Sequence, residues 1–275
     1  MSTYASILAI LAGAEGDAEV LGAAGRLAGA SGQVRVVAVR SDPARVLPVV
    51  GEAGAAAAAD LVAVLEQQSR ARTARARVAF EGWRDRAGLA LTEFTELLGH
   101  PSETAALAAR NCDILAIARP RGADEPAALG LAEACLFGSG RPLLLVAPGA
   151  AGGFGSSIAV LWDGSRTAAR AVGDAMPLLS KARSVLVLTS GQFAEELPTG
   201  VALAARLKMQ GIAAEARSVK SGDSEGPALA RAAAEAGCDL LVMGGYGHSR
   251  LREMILGGLT RYMLSSAPIP VLMAH

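Results

Sequence analysis

Gly237-Cys238-Asp239-Leu240-Leu241-Val242-Met243 decides the fold, because its pattern stands earlier in the chain as Asn111-Cys112-Asp113-Ile114-Leu115-Ala116-Ile117. Each copy follows an Ala-rich segment of helical composition and is apolar at nearly every position after its aspartate. Short runs of that kind imply strands buried on both faces, the habit of parallel sheets covered by helices. The echo extends outward in the same order. Ser6-Ile7-Leu8-Ala9-Ile10 matches Ser157-Ile158-Ala159-Val160-Leu161, and Arg141-Pro142-Leu143-Leu144-Leu145-Val146 matches Ile269-Pro270-Val271-Leu272-Met273-Ala274. The chain is an internal duplication.

The spacing of the repeats locates what differs between the halves. Ser6 and Ser157 are 151 residues apart but Cys112 and Cys238 only 126, so the first half carries about 25 extra residues, which the Ala- and Arg-rich stretch 53–86 absorbs. A Gly-rich, uncharged connection at 148–157 puts the boundary near Gly152. The expected domains are 1–150 and 155–275. In the second half, strands are expected at 157–162, 184–189, 213–219, 239–243 and 270–274, alternating with helices. Pro101 and Pro227 each suit a first helical position. The fold class is α/β: two tandem doubly wound parallel-sheet domains.

Composition narrows the partners. The 26 basic and 26 acidic residues cancel, which removes the electrostatic footprint of a protein that grips nucleic acid. Three scattered cysteines without a CxxC pair point to a reduced, cytoplasmic setting, with Cys112 and Cys238 read as small buried residues. The first residues lack a secretory signal, and the longest uncharged stretch, 142–162, is broken by Pro148 and glycines, so no membrane span is expected. The Arg-rich run 70–86 around Trp83 reads as a solvated helix face.

Chemistry is expected where parallel strands end, since ligands bind there in open α/β sheets. The first strand of the second half ends in Trp162-Asp163-Gly164-Ser165, and the fourth runs into Gly244-Gly245-Tyr246-Gly247-His248, with Gly257-Gly258 further on. Glycines expose backbone N–H donors to phosphates, and Asp163 can accept from ribose hydroxyls or a base, help hold Mg²⁺, or cap the next helix. His248, Arg250 and Arg252 add positive charge or simply face solvent. Trp162 and Tyr246 pack either on an adenine ring or within the sheet edge. A nucleoside polyphosphate suits this layout.

Asp163-Gly164-Ser165 after strand one, then Gly244, two residues, Gly247, nine residues and Gly257, resembles the universal stress protein family, and the whole chain resembles its tandem two-domain members. The resemblance implies a Rossmann-like, adenine nucleotide alpha hydrolase-like fold and a role in stress response. It further implies an ATP-type nucleotide site, with or without Mg²⁺, built from Leu161, Trp162, Asp163, Met243, Gly244, Gly247, His248, Gly257, Gly258 and Leu259. The family pairs domains through their last strands, so Leu143 to Val146 and Val271 to Met273 are expected to pair within this chain as an internal pseudo-dimer. A further homodimer and protein partners are both open.

Two departures matter. Gly258 stands where the family pattern has serine or threonine, and a lost hydrogen bond to a charged group costs about 1.5–3 kcal/mol, roughly ten- to a hundredfold in affinity. In the first half, Ala12 replaces the aspartate and Ala118-Arg119-Pro120-Arg121 replaces the glycine loop, so at most one competent pocket is expected, with a scaffold role for the N-terminal half. No Ser-His-Asp order, metal-ligand spacing or Walker-type loop accompanies the site, so any hydrolysis is expected to be slow. The alternative is a scaffold that binds no nucleotide and docks protein partners or another small ligand. An enzyme of the PP-loop pyrophosphatase type is disfavoured because an SGGxDS-type loop is missing after strand one; a flavoprotein of the electron-transfer type would be yellow.

Overall fold

The computed structural model describes residues 4–42, 55–121, 125–150, 153–191, 199–220, 224–245 and 258–275. Among these the first half contributes β1 (Ser6–Leu11), α1 (Asp17–Ala28), β2 (Gln33–Ser41), α2 (Ala55–Ala87), β3 (Thr92–Gly99), α3 (Pro101–Ala109), β4 (Ile114–Ala118), α4 (Glu125–Gly138) and β5 (Leu143–Val146). The second half contributes β6 (Ser157–Leu161), α5 (Arg166–Leu179), β7 (Ser184–Ser190), α6 (Gly200–Met209), β8 (Ala214–Val219), α7 (Glu225–Glu235), β9 (Leu240–Gly244), α8 (Gly258–Ser265) and β10 (Val271–Ala274). The boundary near Gly152 lies outside the described residues.

All strands join one ten-stranded sheet in the order β3-β2-β1-β4-β5-β10-β9-β6-β7-β8. Within each half the pairs are parallel and the order is the doubly wound one. At the centre the halves meet antiparallel, with Val271 opposite Leu145, Leu272 opposite Leu144 and Met273 opposite Leu143. That is the pairing expected of the two last strands. It leaves β3 and β8 as the edges, and each carries charged residues, Glu93 and Glu96 on one and Glu215 and Arg217 on the other, which blunts them against further strand addition. The inner strands β4, β5, β6, β9 and β10 are buried almost throughout.

Two apolar layers cover the sheet. Alternate residues of β1 divide between them: Ile7 and Ala9 pack with α1, α2, α5 and α6, whereas Leu8 and Ile10 pack with α3, α4, α7 and α8. Leu, Val and Ala fill both layers. Pro101 opens α3 as expected. Pro227 is the third residue of α7 rather than the first; the N–H groups of a first turn lack helical acceptors, so proline there removes no bond.

The recurring Cys-Asp pair has a structural cause. Asp239 accepts from the backbone N–H of Gly155, Ser156 and Ser157 at 2.8–3.2 Å, and Asp113 accepts from Ala5 and Ser6 at 2.8 and 2.9 Å. Each carboxylate clamps the start of its half's first strand. Cys112 and Cys238 are buried beneath the clamps as expected, and burial pushes their thiols up, Cys112 to about 11, so neither is a ready thiolate at neutral pH.

Candidate functional site

Topology places the C-terminal site. β6 lies between β7 and β9, so its carboxyl end is where the strand order reverses. Leu161 is in register with Met243, which sets Trp162-Asp163 beside Gly244-Gly245. Five of the predicted site residues, Leu161, Trp162, Asp163, Met243 and Gly244, therefore meet at one sheet edge. Gly247, His248 and Gly257 lie outside the described residues, as do Tyr246, Arg250 and Arg252.

The side chains of Leu161, Trp162 and Met243 are buried in the core, so what those positions offer a ligand is backbone. Trp162 is buried and belongs to the apolar layer that also holds Val160 and Ala168. Asp163 is half-buried and accepts from Ser165 N–H at 2.9 Å, closing a turn in which Gly164 adopts φ +75°. Asp163 is not the helix cap. Ser165 is, its hydroxyl accepting from Ala168 N–H at 3.2 Å and lying 3.1 Å from the Thr167 hydroxyl.

Gly244 has a reason to be glycine that its spacing did not disclose. A Cβ there would sit 2.4 Å from Ala168 N and 2.5 Å from Thr167 C, so β9 can end only against the first turn of α5 if residue 244 lacks a side chain. The absence of a Cβ thus serves helix packing as well as any phosphate, and it brings the positive end of α5 to the sheet edge. Gly245 donates to Ala274 O at 2.8 Å, tying the loop's start to β10. Gly258 opens α8 and is exposed, with nothing among the described residues within 4 Å of where its Cβ would be; Leu259 packs on the layer that holds Leu161 and Met243.

The matching edge of the first half is filled by its own chain. A Cβ on Gly13, at φ +67°, would meet the Arg72 carbonyl oxygen of α2 at 1.9 Å, and Arg75 donates to Gly13 O at 2.7 Å. Asp17, buried, turns back to accept from Ala12 and Gly13 N–H at 3.1 and 2.9 Å. Burial raises its carboxyl above the usual range, against the pull of those N–H groups and of Arg75. The Arg-rich stretch is therefore more than a solvated face: Arg77 stacks 4.5 Å from the centre of the Phe94 ring, and Trp83 lies 3.1 Å from where a Gly25 Cβ would be. The extra residues of the first half make the long helix that covers its crevice. Sequence pattern had shown only their number.

Among the described residues, no group of three His, Cys, Asp or Glu side chains converges to hold a metal ion, and no helix is long and apolar enough to cross a membrane. The fold and the strand-end site define a tandem pair of Rossmann-like units. Residues 156–275, in the C-terminal half of the chain, match the model of the universal stress protein family. The complete chain shares its fold with a universal stress protein from Archaeoglobus fulgidus DSM 4304, at 17% identity and a TM-score of 0.71, over 99% of this chain and 96% of that one. It also resembles a putative universal stress protein from Pseudomonas aeruginosa UCBPP-PA14, at 13% identity and a TM-score of 0.54, over 98% and 93%. A universal stress protein in complex with cAMP overlaps 44% of this chain and 97% of its own at 23% identity, but a TM-score of 0.31 is too low to argue from. Comparison with curated proteins returns no match.

Proposed function

We propose that the C-terminal half binds ATP or a related adenine nucleotide in the crevice between β6 and β9, and that the protein acts as a nucleotide-responsive regulatory module in the cytoplasm. The observation that carries this is the register of β6 on β9, which brings the Asp163 turn, Gly244-Gly245 and the first turn of α5 to one edge. In sequence, the glycine-bearing stretch to Gly257 follows at once. Domain 155–275 carries the site in this proposal, and domain 1–150, whose crevice α2 covers, is its scaffold.

Titration calorimetry with ATP and Mg²⁺ tests it. The wild type is expected to bind weakly because Gly258 offers no hydroxyl. Gly258→Ser, which meets no neighbour within 4 Å among the described residues, is expected to tighten binding about ten- to a hundredfold, the worth of one hydrogen bond to a charged group. No heat at millimolar nucleotide from either protein would sink the proposal. Binding gained only in Gly258→Ser would instead favour the second reading, a natural scaffold that has lost its nucleotide and docks protein partners, for which the filled first crevice speaks.

A further inference from the structure

A cavity of about 300 Å³ lies on the seam between the halves, lined by Arg119 and Arg121 after β4, Ser265 and Ser266 at the end of α8, and three prolines. Arg119 is 5% exposed. Its Nη1 donates to Ala267 O and its Nη2 to Ile269 O at 2.9 Å. Its Nε is buried without an acceptor among the described residues. Two carbonyls satisfy part of the fork but bring no negative charge, and no carboxylate among the described residues contacts it. Burial pulls its pKa down only to about 10, so the guanidinium stays charged at neutral pH. A buried cation without a counter-ion is costly, and an anion in the cavity would relieve it.

Arg121 supplies a second cation. Its pairing with Glu15 is slack, at 3.8 Å, and the Glu15 side chain is 94% exposed, so a ligand can take its place. Among the described residues, none that lines the cavity is acidic. Ser265 donates to Arg261 O at 3.0 Å, and its hydroxyl lies 3.1 Å from that of Ser266. The duplication does not repeat this arrangement. Arg119 stands where the second half has Gly245, and a Cβ at Gly245 would meet Leu136 at 2.9 Å, an apolar neighbour.

We propose that the seam cavity binds a phosphate group, either inorganic phosphate or the phosphoryl end of a small metabolite, between Arg119 and Arg121. Guanidinium forks pair with phosphate oxygens two at a time. The charge of a phosphomonoester at pH 7, roughly −1.5 to −2, matches two guanidiniums better than a carboxylate does. A volume at the small end of the range for ligand pockets favours a compact ligand over a nucleoside triphosphate. The site is separate from the proposed nucleotide crevice and does not depend on it.

The test is calorimetry of the full chain with inorganic phosphate, glycerol 3-phosphate and acetate at fixed ionic strength, with and without saturating ATP. One saturable phosphate site that survives ATP is expected, with acetate at least tenfold weaker. Tighter binding of glycerol 3-phosphate would identify a metabolite as the source, and tighter binding of phosphate the free ion. Arg121→Gln is expected to weaken binding at least tenfold and Arg121→Lys by less, since lysine keeps the charge but loses the fork. Arg121 is part-exposed, so both variants should fold; circular dichroism checks this. Unchanged affinity in Arg121→Gln, loss of the phosphate heat when ATP is present, or acetate binding as tightly as phosphate would each overturn the proposal.

Discussion

Asp239 holds three backbone N–H groups that lie 82 to 84 residues away in sequence, and Asp113 holds two at 107 and 108. The repeat displayed both aspartates, yet their role was illegible because nothing local distinguishes a clamp from a polar residue at a strand start. At Asp239 both carboxylate oxygens accept, Oδ1 from Gly155 and Ser157 and Oδ2 from Ser156. In Asp239→Asn one of them becomes an NH₂ that faces N–H donors, so at least one bond becomes a donor–donor contact. The expected loss of stability is about 1–3 kcal/mol, read as a lower urea midpoint with unchanged slope. A midpoint within error of the wild type would show that water replaces the clamp. Gly244 teaches the same lesson: the spacing marked it, while the reason it lacks a Cβ lies on α5.

Elements were more legible than contacts. The five strands expected in the second half lie within one or two residues of β6 to β10, because central parallel strands are apolar at almost every position and need no partner to be recognised. The length of α2 was implied by the mismatch in repeat spacing. Its purpose was not, since its buried stripe of Ser69, Thr73, Ala76 and Phe80 is narrow and largely small or polar and reads like solvated helix. The contact between α2 and Gly13 makes the covering of the first crevice testable. Gly13→Ala adds a methyl where the Arg72 carbonyl sits and asks an L-residue to hold φ +67°, which alone costs about 1–2 kcal/mol. Amide exchange along the middle of α2 should speed up while α5, in the other half, is unaffected. Exchange unchanged in α2 would mean that the helix is held without this contact.

At the scale of the molecule, the seam decides whether two halves behave as one protein. Leu144 and Leu272 face each other across β5 and β10, and both are fully buried in a layer that also holds side chains of β1 and β6. The core therefore runs through the seam rather than stopping at it. Arg119, reaching from β4 to the carbonyls of Ala267 and Ile269, adds a second tie. With apolar burial shared in this way, neither half can open its central strand without exposing the other's, and the wild type is expected to unfold in one cooperative transition. Leu144→Asp places a charge against Leu272 with no partner in an apolar layer, a burial that costs several kcal/mol unless the seam opens. Opening it is the cheaper response, because β4 and β9 still flank the separated strands. Two transitions should then replace one in differential scanning calorimetry, each half melting for itself. A single transition, merely shifted to lower temperature, would show that the halves are joined too broadly to be uncoupled at this pair. Two transitions already present in the wild type would show that strand pairing at the seam does not couple them.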